Sequence, residues 1–541
     1  MSQFINNKEN IVTEAVDGLI STSGGALARL DGYPHIKVVV RNDWDKSKVA
    51  LISGGGSGHE PAHAGLVGEG MLTAAVCGEV FASPSVDAVL SAILAVTGSE
   101  GCLLIIKNYT GDRLNFGLAA ARAIEMGFKV NMVIVDDDIA LPDLAKPRGI
   151  AGTVLVHKIA GALANDGGSL GEVTKVAENI IAGTKTIGMS LDTCTVPGSP
   201  KDQRIEDGKA ELGLGIHGEP GFEKLDYIDA KQSIAAMVNK LEPLMSDEPH
   251  VVLLNNLGGV SILEMSILAH ELINSSIGKK LKLIIGPASL MTAIDMRGFS
   301  ISVCPLTAQQ EALLKSPCAL SVWPDCKEIT PIAIVDLPDG LTPVSHNPSK
   351  DDETATLITQ CCEIMIAAEA DLNALDAKSG DGDTGSTVAG AGRSIIDALE
   401  RLPLADHPKL FSAIGQELSQ VMGGSSGVLL AIFFTAVGDA SSNGASVIDA
   451  FKSGLNRMQA IGGANLGDRT MVDALSPALD ALGNGLEAAA IAAREGANHT
   501  STILVAKAGR STYVNEEQLK GNIDPGAEAV ARLFEGLSEN R

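Results

Sequence analysis

The chain has 541 residues, more than one hydrophobic core supports, so we expect several domains. Its formal net charge of −25 argues against nucleic-acid binding, which needs clustered Lys and Arg. The eight Cys form no zinc-type spacing, and the first residues lack the apolar segment of a signal peptide. We therefore expect a soluble cytoplasmic protein with reduced thiols.

The first part of the chain, residues 1–336, alternates short β-branched runs with helical stretches. This pattern is typical of an α/β domain with a largely parallel sheet, and its size indicates two α/β subdomains. The predicted strands are Ile36–Val40, Val49–Ser53, Cys102–Lys107, Val130–Val135, Val251–Asn255, Leu281–Ile285 and Ile332–Val335. The predicted helices include Ser85–Ala95, Gly117–Met126 and Ile262–Leu272.

The second part, residues 353–541, follows a Pro-containing linker at residues 337–352 and is Ala-rich with helical periodicity. A stripe of apolar residues four apart follows Asp406, a candidate N-cap. We predict an all-helical bundle of roughly six to eight helices. The uncharged run Leu418–Gly438 contains a Gly-Ser interruption, so we interpret it as a buried helix and not a membrane span.

Strand Val49–Ser53 runs into a glycine-rich segment, Gly54 to Pro61, that contains His59. A glycine turn at the carboxyl end of a strand is where open α/β sheets bind ligands. Backbone at Gly56, Ser57 and Gly58 can therefore approach a small polar ligand. His59 is either a ligand contact or an ordinary loop histidine.

Two further positions carry candidate chemistry. Lys107 ends a predicted strand and Asp112 lies in the following turn, where Asp112 is either a general base or a helix cap. His217 is flanked by glycines, which leaves its imidazole open to a ligand, although a satisfied loop histidine is the alternative.

Three carboxylates, Asp376, Asp381 and Asp383, stand among glycines after a helical stripe. Because the glycines break the helix, a tight loop can direct all three at one hard cation such as Mg²⁺. An EF-hand is excluded, since Ser386 occupies the position that requires Gly. A solvated acidic turn that caps the next helix remains the alternative.

Ser425 and Ser426 lie in a Gly-Gly-Ser-Ser-Gly segment that begins an apolar helix. Hydroxyls and free N–H groups at a helix N-terminus suit a phosphate. The chain has no P-loop motif, so the carboxylates and this segment suggest a nucleotide site of another kind.

The segments Gly-Gly-Gly-Ser-Gly-His-Glu-Pro, Lys-Asn-Tyr-Thr-Gly-Asp, Gly-Ile-His-Gly-Glu-Pro, Asp-Ala-Lys-x-Gly-Asp-Gly-Asp-Thr-Gly and Gly-Gly-Ser-Ser-Gly occur in this order. In this the chain resembles the dihydroxyacetone kinases along essentially its whole length. It is most similar to their single-chain, ATP-dependent form, whose relatives include triokinase/FMN cyclase. The resemblance implies an N-terminal substrate domain, a C-terminal nucleotide domain folded as an eight-helix barrel, and a homodimer.

The resemblance also implies residue roles. His217 would bond covalently to the substrate ketone, Asp112 would accept the hydroxyl proton, and His59 would orient the substrate, with Lys107 beside them. Asp376, Asp381 and Asp383 would hold two Mg²⁺ ions on ATP. The nucleotide contacts would be Gly382, Asp383, Thr384, Gly385, Ser425, Ser426, Thr470, Met471, Asp524, Pro525 and Gly526.

Three other functions remain open from the sequence. The same metal–nucleotide site in triokinase-type relatives cyclises FAD to cyclic FMN. A subunit dependent on a phosphocarrier protein would need no ATP turnover, but the fusion of both domains argues against it. A non-catalytic regulator that binds dihydroxyacetone would not need the three carboxylates.

Overall fold

The computed structural model describes residues 3–140, 147–338 and 346–539. The chain divides into two compact units, Met1–Ile334 and Val335–Arg541. Part of the predicted linker, residues 339–345, lies outside the described residues.

The first unit is an α/β structure with two sheets. Its elements are α1 (Ile11–Ser21), β1 (Leu27–Arg29), β2 (Val38–Arg41), β3 (Ala50–Ser57), β4 (Ala74–Val80), α2 (Val86–Val96), β5 (Cys102–Lys107), α3 (Thr110–Glu125), β6 (Val130–Val135), α4 (Thr153–Asn165), α5 (Leu170–Gly183), β7 (Lys185–Ser190), β8 (Lys209–Leu212), β9 (Glu223–Asp226), α6 (Ala230–Leu241), β10 (His250–Asn256), α7 (Ile262–Ile273), β11 (Leu281–Ala288), β12 (Gly298–Pro305), α8 (Ala308–Lys315) and β13 (Lys327–Glu328).

The first sheet has the strand order β1-β2-β4-β3-β5-β6. Its inner strands are parallel, since β3 pairs in parallel with β4 and β5, and β5 with β6. Strand β5 is buried throughout, and apolar up to Ile106, because helices cover both faces of the sheet. Leu103 and Ile105 pack into the core that contains α4, whereas Leu104 and Ile106 pack with α2 and α3.

The second sheet has the strand order β13-β11-β10-β12-β7-β8-β9. Only the β10–β11 pair is parallel, and its other pairs are antiparallel. The prediction of a largely parallel sheet is therefore wrong for the second sheet. No helix separates β11 from β12, and a strand that returns without a crossover helix can run in the opposite direction.

One predicted strand, Ile332–Val335, is also wrong. The segment has no regular secondary structure, and its Ile332 and Ile334 side chains are 81% and 90% exposed. A β-branched run forms a strand only where a sheet covers it, and here no sheet does.

The second unit is helical in its described part. Its helices are α9 (Asp352–Ala367), α10 (Glu369–Asp376), α11 (Thr384–Ala398), α12 (His407–Val421), α13 (Gly424–Ser442), α14 (Val447–Gly462), α15 (Val472–Ala481), α16 (Leu486–Thr500), α17 (Glu516–Leu519) and α18 (Pro525–Glu539). The predicted bundle of six to eight helices omits the short α17 and does not separate α10 from α9.

The start of α12 confirms the predicted N-cap. The Asp406 carboxylate accepts a hydrogen bond from the Lys409 N–H at 3.3 Å, and Leu410, Ile414 and Leu418 are buried on one face. The uncharged run lies mostly in α13, whose Phe433 and Val437 are buried. Within the described ranges, no helix is long and apolar enough to cross a membrane.

Candidate functional site

The glycine segment at the end of β3 has a backbone that other residues cannot adopt without strain. Gly55 and Gly58 have φ values of +149° and +99°. A Cβ atom on Gly56 would lie 2.6 Å from the Ala82 backbone nitrogen. The side chain of Ser57 is occupied in the fold, since its hydroxyl donates to the Gly78 carbonyl at 2.8 Å. Residues 55–58 therefore contribute close backbone approach rather than side-chain chemistry.

Four rings from distant parts of the first unit meet beside this segment. The His217 ring centroid lies 4.9 Å from that of His59, 5.4 Å from Phe81 and 4.6 Å from Tyr109. His59 is also stacked on Phe81 at 5.2 Å. The structure thus brings together two of the predicted residues, His59 and His217, and places the aromatic side chains of Phe81 and Tyr109 against them.

His217 is held by a carboxylate two residues further along the chain. Its Nδ1 lies 3.0 Å from Glu219 Oε1, and its backbone N–H donates to Glu219 Oε2 at 3.0 Å. Burial raises the pKa of Glu219, but the hydrogen bond from His217 and its charge outweigh burial and lower the pKa to about 2. Glu219 is therefore an ionised acceptor and His217 Nδ1 carries the proton that it accepts, which leaves Nε2 as the ring nitrogen for a ligand.

The His59 ring, like that of His217, donates from Nδ1, but to a different partner. Its Nδ1 lies 2.7 Å from the Thr292 carbonyl oxygen and must donate to it. Its Nε2 is buried and has no hydrogen-bond partner among the described residues. Desolvation, followed by the nearby Lys107 and His217, lowers the pKa of His59 well below its usual value. A neutral ring with an unsatisfied buried acceptor fits a ligand that carries a hydroxyl group.

Lys107 and Asp112 border the same small space above Gly55. A Cβ atom on Gly55 would lie 3.0 Å from Lys107 Nζ and 3.6 Å from Asp112 Oδ2. Asp112 Oδ1 accepts a hydrogen bond from Ser83 at 2.5 Å. Both charged side chains are buried, at 1% and 4% exposure. The capping alternative for Asp112 is wrong, because Tyr109 is the N-cap of α3 and Asp112 lies inside its first turn.

Sequence reasoning missed several members of this group. Phe81 and Ser83 lie in the loop after β4 and Thr292 lies in the loop after β11, and no local pattern links them to the histidines. Glu219 could have been found, because a carboxylate two residues after a histidine in a glycine-rich turn can reach its ring.

The carboxylate loop of the second unit lies between α10 and α11. Oxygen atoms of Asp376, Asp381 and Asp383 lie within 4.8 Å of one another, which is within reach of a shared hard cation. Asp376 is buried, whereas Asp381 and Asp383 are exposed. The start of α11 packs tightly against α10, since a Cβ atom on Gly385 would lie 2.0 Å from the Glu369 carbonyl oxygen.

Asp376 organises the loop that contains the other two carboxylates. Its Oδ2 atom accepts N–H groups from Gly382, Asp383 and Thr384 at 3.1, 3.0 and 3.2 Å. Three donors on one oxygen leave Oδ1 as the atom available to a cation. The residues present therefore fit a Mg²⁺ site.

A second group of predicted nucleotide contacts lies at the start of α15 and α18. A Cβ atom on Gly526 would lie 3.2 Å from Asp524 Oδ1 and 3.3 Å from Met471 Cβ. Thr470 donates its N–H to Asp473 at 2.8 Å, and Pro525 begins α18.

Ser426 lies in the first turn of α13, after Gly424, whose φ is +74°. The side chain of Ser425 lies outside the described part of the structure. Contacts of these serines with a nucleotide remain predictions.

Both units match family models. The Dak1 domain matches residues 18–322, and the DAK2 domain matches residues 378–539. The dihydroxyacetone kinase of Citrobacter freundii is 49% identical, with 100% of both chains covered. The triokinase/FMN cyclase of Mus musculus is 37% identical, and the alignment covers 99% of this chain and 98% of that protein.

A solved structure matches the fold over the same length. The crystal structure of the C. freundii dihydroxyacetone kinase in complex with AMP-PNP and Mg²⁺ has a TM-score of 0.68 to this chain. It is 47% identical and covers 100% of both chains.

Proposed function

We propose that this chain, which belongs to the dihydroxyacetone kinase family, transfers the γ-phosphate of Mg-ATP to dihydroxyacetone and forms dihydroxyacetone phosphate. The observation that carries the proposal is the position of His217, whose Nδ1 is paired with Glu219, next to His59, whose buried Nε2 has no hydrogen-bond partner among the described residues. Together they match a small molecule that has both a carbonyl carbon and a hydroxyl group.

His217 is the group that would hold the ketone. In the neutral ring the Nε2 lone pair adds to the carbonyl carbon, the C=O π pair moves to oxygen, and that oxygen takes a proton from solvent to give a hemiaminal. The ring gains positive charge in this step, and the Glu219 carboxylate 3.0 Å from Nδ1 offsets it. Glycerol has no carbonyl carbon, so it is rejected by reactivity rather than by size.

The remaining residues would act on the substrate hydroxyls. His59 Nε2 accepts one hydroxyl proton as a hydrogen bond and fixes the orientation of the bound ketone. Asp112 takes the proton of the terminal hydroxyl that attacks the phosphate, with Ser83 holding its other oxygen. Lys107 supplies positive charge beside the same hydroxyl. Phosphoryl transfer depends mainly on such positioning and charge neutralisation.

The nucleotide would bind the helical unit. Asp376, Asp381 and Asp383 would hold Mg²⁺, which would neutralise negative charge on the ATP phosphates. Ser425 and Ser426 at the start of α13 would contact phosphate. The turns at Thr470–Met471 and Asp524–Gly526 would line the rest of the pocket.

The finer architecture and the assembly are also proposals. We propose that the eight longer helical segments close into a barrel, supported by contacts of α9 with both α11 and α18. We further propose domain limits at residues 336 and 353, a cytoplasmic location and a homodimer. The family resemblance supports the homodimer, and sedimentation analysis tests it.

The direct test is ADP release with Mg-ATP and dihydroxyacetone, with glycerol as the control substrate. The wild type should turn over dihydroxyacetone and not glycerol. His217→Ala should lose affinity for dihydroxyacetone, whereas the matched control His270→Ala, at an exposed histidine of α7, should behave as the wild type. Release of no ADP with any triose would refute the kinase proposal.

A second candidate activity is the conversion of FAD to cyclic FMN. It is favoured by the full-length similarity to triokinase/FMN cyclase. The test is cyclic product formation from FAD with Mn²⁺ or Mg²⁺. This activity should depend on Asp383 and should be unaffected by His217→Ala.

A further inference from the structure

A buried polar chain runs from Lys107 into the core of the first unit. Lys107 Nζ lies 2.7 Å from His63 Nε2, and His63 Nδ1 lies 3.3 Å from Ser53 Oγ. His157 Nε2 lies 3.1 Å from the same Ser53 Oγ. All four side chains are at most 5% exposed. The mechanism proposed above uses Lys107 but none of the other three residues.

The proton positions along this series of hydrogen bonds can be assigned starting from Ser53. Its Oγ lies 2.6 Å from the Ile105 carbonyl oxygen, and so short an approach of two oxygens requires the hydroxyl proton between them. Ser53 has only one proton, so its Oγ can only accept from the two histidines. His63 Nδ1 therefore carries a proton and donates to Ser53.

The charge state of His63 then decides which atom donates in the contact between His63 and Lys107. Desolvation, followed by Lys107, His157 and His59, lowers the pKa of His63 well below its usual value, so the ring is neutral. A neutral ring protonated on Nδ1 has an acceptor at Nε2. Lys107 Nζ is consequently the donor in the 2.7 Å contact.

We infer that His63 is a positioning residue: its Nε2 atom, held as an acceptor by Ser53, fixes the Lys107 ammonium group above Gly55 beside Asp112. A lysine on a flexible stem has many rotamers, and one short hydrogen bond from a buried ring selects one of them. This inference rests on the proposed function, because it assigns His63 to the lysine of the proposed site.

The structure offers a way to separate hydrogen bonding from packing. His63 lines a cavity of about 360 Å³ that is bordered also by Val16, Cys77 and Val322. A small ring added to the solution can enter such a space next to residue 63. Imidazole supplies a ring acceptor, whereas pyrrole has the same ring size and an N–H group but no ring acceptor.

The experiment measures kcat/KM for dihydroxyacetone in His63→Ala with each ring compound added. We expect a loss of about 100-fold, typical of a misplaced reacting group, which imidazole reverses at least in part and pyrrole does not. The control His270→Ala should show neither the loss nor the rescue. Equal rescue by both rings, or no loss in His63→Ala, would overturn the inference.

A second pair of variants covers the case in which His63→Ala does not fold. His63→Gln retains a side-chain oxygen that can accept from Lys107, whereas His63→Leu has none. We expect His63→Gln to retain at least tenfold more activity than His63→Leu. Equal activities would contradict the role of the acceptor.

A spectroscopic measurement does not depend on turnover. With ¹⁵N-labelled histidine, the ring signal that disappears in His63→Gln identifies residue 63 among the ten histidines. We expect the Nδ1–H tautomer in the wild type and a shift towards Nε2–H in Ser53→Ala. An Nε2–H or doubly protonated wild-type ring would refute the inference. If the wild type instead lacks kinase activity while His63 shows the expected tautomer, the proposed function fails and the proton assignment stands.

Discussion

The carboxylate loop should be organised by Asp376 before any cation binds. The charged Asp376 Oδ2 accepts three consecutive N–H groups at 3.0 to 3.2 Å. A hydrogen bond to a charged group contributes about 1.5–3 kcal/mol. Because three donors share one oxygen, we count the lower value once. Asp376→Asn keeps an oxygen but removes the charge, so we expect the loop to lose about 1.5 kcal/mol.

The assay is hydrogen exchange of the amides of Gly382, Asp383 and Thr384 in the absence of Mg²⁺. A loss of about 1.5 kcal/mol corresponds to roughly tenfold faster exchange. The matched control is Asp381→Asn, since Asp381 is an exposed carboxylate of the same loop, whereas the three N–H groups donate to Asp376. Both variants should bind Mg-ATP more weakly, but only Asp376→Asn should speed the exchange.

Two results would refute this reasoning. If the three amides of Asp376→Asn exchange as in the wild type, the hydrogen bonds do not hold the loop. If Asp381→Asn accelerates exchange as much as Asp376→Asn does, charge in the loop matters but the geometry at Asp376 does not.

Three further outcomes are expected. Gly385→Ala should destabilise the helical unit by about 1–3 kcal/mol in thermal unfolding, because its Cβ would lie 2.0 Å from a carbonyl oxygen; Gly390→Ala in the same helix meets nothing within 4 Å and should stabilise by up to about 1 kcal/mol. Effects of equal sign would contradict this. Burial raises the pKa of Asp524 from 3.8 to about 6, so the folded state binds a proton more tightly and stability should fall by up to about 3 kcal/mol between pH 4 and pH 7. Urea unfolding of Asp524→Asn should lack this slope, and an unchanged slope would refute it. Gly56→Ala should lower kcat/KM for dihydroxyacetone by about 10–100-fold in the ADP assay while leaving Mg-ATP affinity unchanged, since its Cβ would collide with the Ala82 backbone.

Elements with a strong local pattern were predicted well from the sequence. Cys102–Lys107 and Val130–Val135 match β5 and β6 at both ends, because each is a short, mainly apolar run next to a turn. The start of α3 was missed: the helix begins at Thr110, before the predicted Gly117, since Gly111 and Asp112 resemble turn residues. Tertiary packing overrides that local preference.

The sequence determined the division into an α/β part and a helical part, the glycine segment, the three carboxylates and the family. These features depend on the spacing of residues close together in the chain, which can be read directly from a single sequence. Only the tertiary structure decided the strand directions of the second sheet and the partners of each site residue. His217 meets His59, and Ser53 meets His157, across more than 100 residues of chain. Such contacts depend on how sheets and loops pack, and the proton positions that follow from them have no local signature in the sequence.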